Sequence, residues 1–190
     1  MTDISLVLAA LDAPRHSLLG SLPDLPSQPG LYAIYGGERT WADLGLGVSV
    51  PSLPLYVGKA EDSLASRDLR THFGDGRTGS STVRRSFAAL LRDQLQLSGI
   101  PRNTVKPDHF SNFGLSAQDD AKLTAWMRAN LEIAVWLFDF SRPLIDVERD
   151  VLRHLNPPIN ILGVNHKWKS RLQAERAVMA NQARLWRAQP

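Results

Sequence analysis

The chain has 190 residues, 43 % of them hydrophobic and 22 % charged, the balance of an ordinary globular domain rather than of a disordered or fibrous one. It contains no cysteine, which excludes disulfides, thiolate metal sites and a cysteine nucleophile. The net charge is only +3, but the excess is concentrated at one end: from Asn165 to Pro190, six cations (Lys167, Lys169, Arg171, Arg176, Arg184, Arg187) face a single acid, Glu175.

The first residues, MTDISLVLAALDAPRH, carry acids at Asp3 and Asp12 and lack a basic start, so they do not read as a secretory leader. No apolar run approaches the roughly 18 residues of a membrane span, and a soluble, cytoplasmic protein is expected. Residues 3–11 read as a short amphipathic helix, followed by the Pro- and Gly-rich linker LGSLPDLPSQPG. Leu31–Tyr35 reads as a strand ending in the turn Gly36-Gly37, and Leu55–Gly58 as a second strand beyond a connection that is long for a hairpin. Asp62 or Ser63 can cap a helix running to about His72, which Gly74 and Gly76 then break.

Ser80 or Ser81 can cap the next helix, whose Val83, Phe87, Leu90, Leu91 and Leu95 recur at helical spacing and form a core face. The periodicity is lost between residues 99 and 112. Ser116 caps a helix to about Arg128, with Asp119 and Asp120 in its first turn, where carboxylates favour the dipole. Leu131–Phe138 is a strongly apolar run suited to a central strand, Pro143 opens a helix that ends by Pro157, and a final helix covers about His166–Arg187. The expected fold class is α+β, a small sheet covered by helices. The expected organisation is an N-terminal helix and linker over 1–28, a catalytic domain over 29–163 with a helical insertion at about 77–130, and a basic C-terminal helix over 164–190.

Two short words carry most of the chemistry. Gly30-Leu31-Tyr32 and Tyr56-Val57-Gly58 each place a tyrosine on a short strand, and Lys59 follows the second at once. Two phenols and an ammonium on neighbouring strands suit an anion. Glu148 lies among Leu144, Val151, Leu152 and Leu155 at helical spacing, on a stripe where an unpaired charge is costly. It therefore calls for a metal, a ligand or an ion pair, with Arg67, Arg149 or Arg153 as pairing candidates. The basic end suits a phosphate backbone, though a solvated helix face explains it equally well. Tyr in a strand, Asn160 after Pro-Pro and His72 at a helix end each also have a purely structural reading.

Taken in order, GLY, YVG, the helix carrying Arg67 and His72, then Glu148 and Asn160 resemble the GIY-YIG nuclease superfamily, over about residues 29–73 and 131–163. That resemblance implies a three-stranded antiparallel sheet flanked by helices, with a divalent metal, Mg²⁺ or Mn²⁺, on Glu148. It implies that Tyr32 and Tyr56 are the motif tyrosines and that Asn160 is the late asparagine. The family arginine falls at Ser66 here; one inserted residue restores it at Arg67, and Arg70 competes for the role. His72 matches a family His/Tyr position. The implied function is metal-dependent hydrolysis of DNA phosphodiesters. Tyr32 or Tyr56 would activate water, Arg67 and Lys59 would bind the scissile phosphate, and Lys167, Lys169 and Arg171 would contact the DNA backbone. The alternative is a module that keeps the fold and binds nucleic acid or protein without cutting.

Overall fold

Alternating side chains along short, β-branched and aromatic runs dictate the sheet. In the computed structural model, which describes residues 3–20, 23–65 and 72–187, β1 (His16–Ser17), β2 (Gly30–Gly36), β3 (Tyr56–Ala60) and β4 (Leu131–Leu137) form one antiparallel sheet in the order β1-β4-β2-β3. The sheet has four strands where three were expected. The extra one is the two-residue β1, which pairs His16 with Ile133 and Ser17 with Glu132 along the outer side of β4. So short a segment has no apolar pattern to betray it in sequence, and as an edge strand it needs none. β4 is central, as its strongly apolar run implied.

The two faces of the sheet bury different cores, because successive side chains of a strand point to opposite sides. On one face Tyr32, Ile34, Ala60 and Ile133 pack with helix α3 (Thr82–Leu90) and helix α5 (Ala117–Asn130) through Val83, Phe87, Leu123 and Met127. On the other, Leu31, Ala33, Tyr35, Val57 and Ala134 pack with helix α1 (Ile4–Asp12) and helix α6 (Leu144–Leu155) through Val7, Leu11, Leu144, Val147 and Val151. Tyr35, buried in this second core, donates its hydroxyl to the Leu11 carbonyl at 2.7 Å. Burial pushes its phenol up to about 12, so it stays neutral.

The caps fall where short polar side chains precede apolar periodicity. Asp3 accepts from the Ser5 amide, Ser81 from the Arg84 amide and Ser116 from the Asp119 amide. The long connection after β2 folds part of itself into helix α2 (Glu38–Asp43). The helix expected to reach Leu95 breaks at Leu91, and a separate turn, α4 (Arg92–Leu95), ends at Gln96 in a left-handed conformation with φ 52°. Most of the helix expected from Ser63 to His72, with Arg67 and Arg70, lies outside the described residues.

The basic C-terminal segment is not a free arm. Helix α7 (Lys169–Leu185) buries Leu172, Met179 and Ala183 and packs along α3. Trp168, just before it, donates its indole N–H to the Leu46 carbonyl at 3.0 Å and meets Trp41 edge-on, with ring centroids 6.0 Å apart. Among the described residues, no helix is long and apolar enough to cross a membrane.

Candidate active site

The register of β2 on β3 aligns the two sequence words. Tyr32 lies opposite Gly58 and Ile34 opposite Tyr56, so both phenols share one face as diagonal neighbours, their ring centroids 6.0 Å apart. Gly58 is what lets them approach. A methyl group at position 58 would stand 2.4 Å from the Tyr32 hydroxyl and 2.5 Å from its ring carbon Cζ. The Tyr32 ring can therefore cross β3 towards the free edge of the sheet only because position 58 has no side chain. Gly58→Ala is expected to leave the chain folded but to expel Tyr32 from this position. Any activity that needs the Tyr32 hydroxyl should then fall at least as far as in Tyr32→Phe, which a side-by-side assay of the two variants checks.

Tyr32 is buried and held by a hydrogen-bonded chain. Its hydroxyl lies 2.7 Å from His72 Nε2, and His72 Nδ1 lies 2.7 Å from Ser81 Oγ, the N-cap oxygen of α3. His72 is fixed in turn by Arg84, whose Nη1 donates to the His72 carbonyl at 3.0 Å. Arg84 is completely buried. It pairs with Asp120 at 3.0 Å and donates to Thr78 Oγ1 at 3.1 Å and Thr124 Oγ1 at 2.9 Å. Asp120 also accepts from the Gly76 amide and the Thr78 hydroxyl. The sequence placed Asp120 in a helix first turn for the sake of the dipole; in the fold it is the counter-ion of the one fully buried guanidinium among the described residues. Nothing in the apolar periodicity marks Arg84, because α3 is buried on nearly every side, including Arg84, Arg85 and Ser86.

Asn160 belongs to the edge of β3. Its Oδ1 accepts from the Val57 amide at 2.9 Å, its Nδ2 donates to the Val57 carbonyl at 2.7 Å, and the neighbouring Ile159 amide donates to the Leu55 carbonyl at 2.9 Å. The segment therefore completes the free edge of β3 much as another strand would, and fixes the backbone between Tyr56 and Gly58.

Around this edge the two faces of the sheet meet. Tyr32, Tyr56, Lys59, His72, Ser80, Thr82 and Glu148 line a cavity of about 280 Å³. Tyr56, Thr82 and Glu148 also form the wall shared with an adjoining cavity of about 360 Å³, on which Asn160 and Arg149 lie. Glu148 is half-buried rather than inward-facing, since Leu144, Val147 and Val151 occupy the centre of the α6 stripe and residue 148 stands at its flank. Arg149 pairs with Asp146 at 2.8 Å and Arg153 with Asp150 at 3.3 Å. Lys59 pairs with the exposed Glu61.

The cleft thus brings together Tyr32, Tyr56, Lys59, His72 and Glu148 from segments far apart in the chain. Lys167, Lys169 and Arg171 line neither cavity. Lys167 sits 4.8 Å from the Trp168 ring, Lys169 donates to the Val164 carbonyl at 3.1 Å, and Arg171 donates to the Gly45 carbonyl.

The GIY-YIG catalytic domain family model matches residues 52–178, well over half of the chain. The chain belongs to the GIY-YIG catalytic domain family. The match opens just before the strand of the second tyrosine and includes Glu148, Asn160, the helical region from 77 to 130 and the first half of α7. The strand of Tyr32 precedes the matched segment, and its pairing with β3 on one side and β4 on the other joins it to the domain. Neither a curated protein nor a solved structure matches the chain. GIY-YIG domains are nuclease domains that act on nucleic acid and generally depend on a divalent metal. Glu148 is the one carboxylate on the wall of both cavities, and the described residues hold no cluster of three or more metal-binding side chains. Such a donor set fits Mg²⁺, which commonly takes one or two carboxylates and completes its shell with substrate phosphate and water.

Proposed function

We propose that this GIY-YIG domain is an endonuclease that hydrolyses DNA phosphodiester bonds in the cleft at the edge of β3, with Mg²⁺ or Mn²⁺ held by Glu148. The observation that carries the proposal is the Tyr32–His72–Ser81 chain opening on the same cavity as Glu148.

A phenol with an ordinary pKa near 10 is a poor base at neutral pH. The hydrogen bond to His72 changes the problem. With Nδ1–H donating to Ser81 Oγ, Nε2 accepts from the Tyr32 hydroxyl. As the phenolic oxygen takes a proton from the attacking water, its own proton passes to Nε2. The acceptor is then an imidazole, whose ordinary pKa lies near 6.5 and suits base catalysis at neutral pH. The water oxygen forms its bond to phosphorus as the bond to the leaving oxygen breaks. Lys59 supplies a cation for the phosphoryl oxygens, and its partner Glu61 is exposed enough for a phosphate to displace it. Tyr56 lies beside Tyr32 and orients the water or the phosphate. Asn160 positions both by fixing β3. Bound at Glu148, the metal ion would supply Lewis-acid stabilisation of the phosphoryl and leaving oxygens. By resemblance Arg67 or Arg70 adds a guanidinium to the phosphate, and Lys167, Lys169 and Arg171 are outer backbone contacts.

Supercoiled plasmid with Mg²⁺ tests the reading. Wild type is expected to nick it, and Tyr32→Phe to do so about 10²- to 10⁴-fold more slowly, the usual worth of a positioned general base. Equal nicking by the two proteins, or tight DNA binding with no nicking by wild type, would overturn it.

A further inference from the structure

Behind the cleft wall, three arginines gather, none of them in an ion pair with an acid among the described residues. Arg85, on α3, is 6 % exposed; its Nη1 donates to the Gly79 carbonyl at 2.8 Å and its Nη2 to Thr82 Oγ1 at 3.1 Å, while its Nε is buried without a hydrogen-bond partner. Arg176, on α7, is half-buried, and Nη1–Ser86 Oγ at 3.4 Å is its one hydrogen bond among the described residues. Arg102 is exposed and lies over Gly79, where an added methyl group would meet its Cγ at 2.7 Å. Burial, then Arg176 and Arg102, push the Arg85 guanidinium down to about 10, so it is still charged at neutral pH. Burial also lowers Arg176, and the phenol of Tyr56 is the group that opposes the fall in both.

The neighbouring carboxylates pair elsewhere: Glu175 and Asp93 with Arg92, Asp119 with Lys122, and Asp120 with Arg84, while the exposed Asp108, which shares a surface cavity with Arg102, lies 3.8 Å from His109. Gathering cations while burying one of them is unfavourable unless an anion completes the site. The cluster is continuous with the cleft. Thr82 accepts from Arg85 and lines the cavity of Tyr32 and Glu148. Ser80 lines that cavity as well as a second one, of about 290 Å³, that Arg102 borders together with Asp120, whose charge Arg84 offsets.

We propose that Arg102 and Arg176, backed by the buried charge of Arg85, form a second phosphate site that holds a non-scissile phosphate of the DNA backbone beside the one being cut. The inference rests on the endonuclease reading for its ligand. It sets the path of the substrate: from the edge of β3, across the N-terminus of α3, towards α7. In this arrangement α7 serves DNA through Arg176 rather than through a detached basic arm.

The test compares wild type with the double variant Arg102→Gln/Arg176→Gln, since Arg85 is too deeply buried to replace safely. Arg39→Gln/Arg153→Gln, which removes two exposed cations from α2 and α6, controls for the general loss of charge. Fluorescence polarisation with a labelled duplex across a salt series is expected to show a log–log slope shallower by about 1 for each phosphate no longer neutralised, hence about 2 for the double variant. The control pair should leave the slope nearly unchanged. In cleavage the double variant should raise KM about tenfold and hold kcat within a few-fold, because a non-scissile phosphate is bound alike in the ground and transition states. A wild type that nicks while the double variant keeps its slope and KM sinks the second site and leaves the nuclease reading standing. The expected slope change, with a wild type that never nicks, does the reverse. A wild type that binds no duplex at low salt overturns both.

Discussion

Asp120→Ala is expected to cost about 3–5 kcal/mol of folding stability, the usual penalty for leaving one member of a buried ion pair without its partner. The pair is 0 % and 2 % exposed, so solvent cannot take over for the missing carboxylate. The loss would strand the Arg84 guanidinium and release the Gly76 amide and Thr78 hydroxyl that now donate to Asp120. Asp120→Asn keeps the shape and part of the hydrogen bonding, and should cost less. Urea unfolding followed by circular dichroism measures both, and a midpoint for Asp120→Ala within error of wild type would refute the assignment. The same substitution should impair cleavage even at temperatures where the protein stays folded. Arg84 holds the carbonyl of His72, and His72 holds Tyr32. Chemistry that needs these groups placed within a fraction of an ångström loses rate when their support is removed.

Glu148→Gln has the largest effect expected on activity. Gln matches Glu in size and half-buried fit, so the fold should be undisturbed, but the anionic ligand is gone. Metal-derived charge stabilisation is worth several kcal/mol at the transition state, and about 4 kcal/mol is roughly a thousandfold in rate. Plasmid nicking should therefore fall by about 10³ or more, and raising Mg²⁺ should restore little of it. The polarisation assay should show duplex binding that is unchanged or slightly tighter, since a carboxylate has been removed from beside the phosphate. Nicking within a few-fold of wild type would mean that Glu148 does not carry the metal.

The parts of the site that lie on strands or on strongly periodic helices were legible early. Leu131–Phe138 is apolar apart from the exposed Glu132 because the middle of β4 is covered on both faces. Tyr32 and Tyr56 could be placed on neighbouring strands because alternation and turn residues bound their segments. Glu148 could be singled out because a charge on an apolar stripe is anomalous. Its true position, at the flank of the stripe and opening on the cleft, depends on how α6 is rotated against β3, which residue spacing constrains only to within part of a turn. Arg84, Arg85 and Asp120 were invisible as site residues. A helix buried on nearly every side has no polar face, so its cations read as solvent-facing until the packing of α3 between the sheet and α7 is known.

By itself the sequence determined the α+β class, the two tyrosine-bearing strands, the carboxylate on α6 and the family to which the chain belongs, because each of these is written in local spacing or in short ordered words. Only the tertiary structure decided that Gly58 clears the way for Tyr32, that His72 and Ser81 extend the phenol into a hydrogen-bonded chain, that Asn160 clamps β3, and that α7 is packed against the domain with Arg176 beside Arg85. The Tyr32–His72 and Val57–Asn160 hydrogen bonds join residues 40 and 103 positions apart in the chain. Their energy depends on distance and burial, which no local pattern of residues encodes.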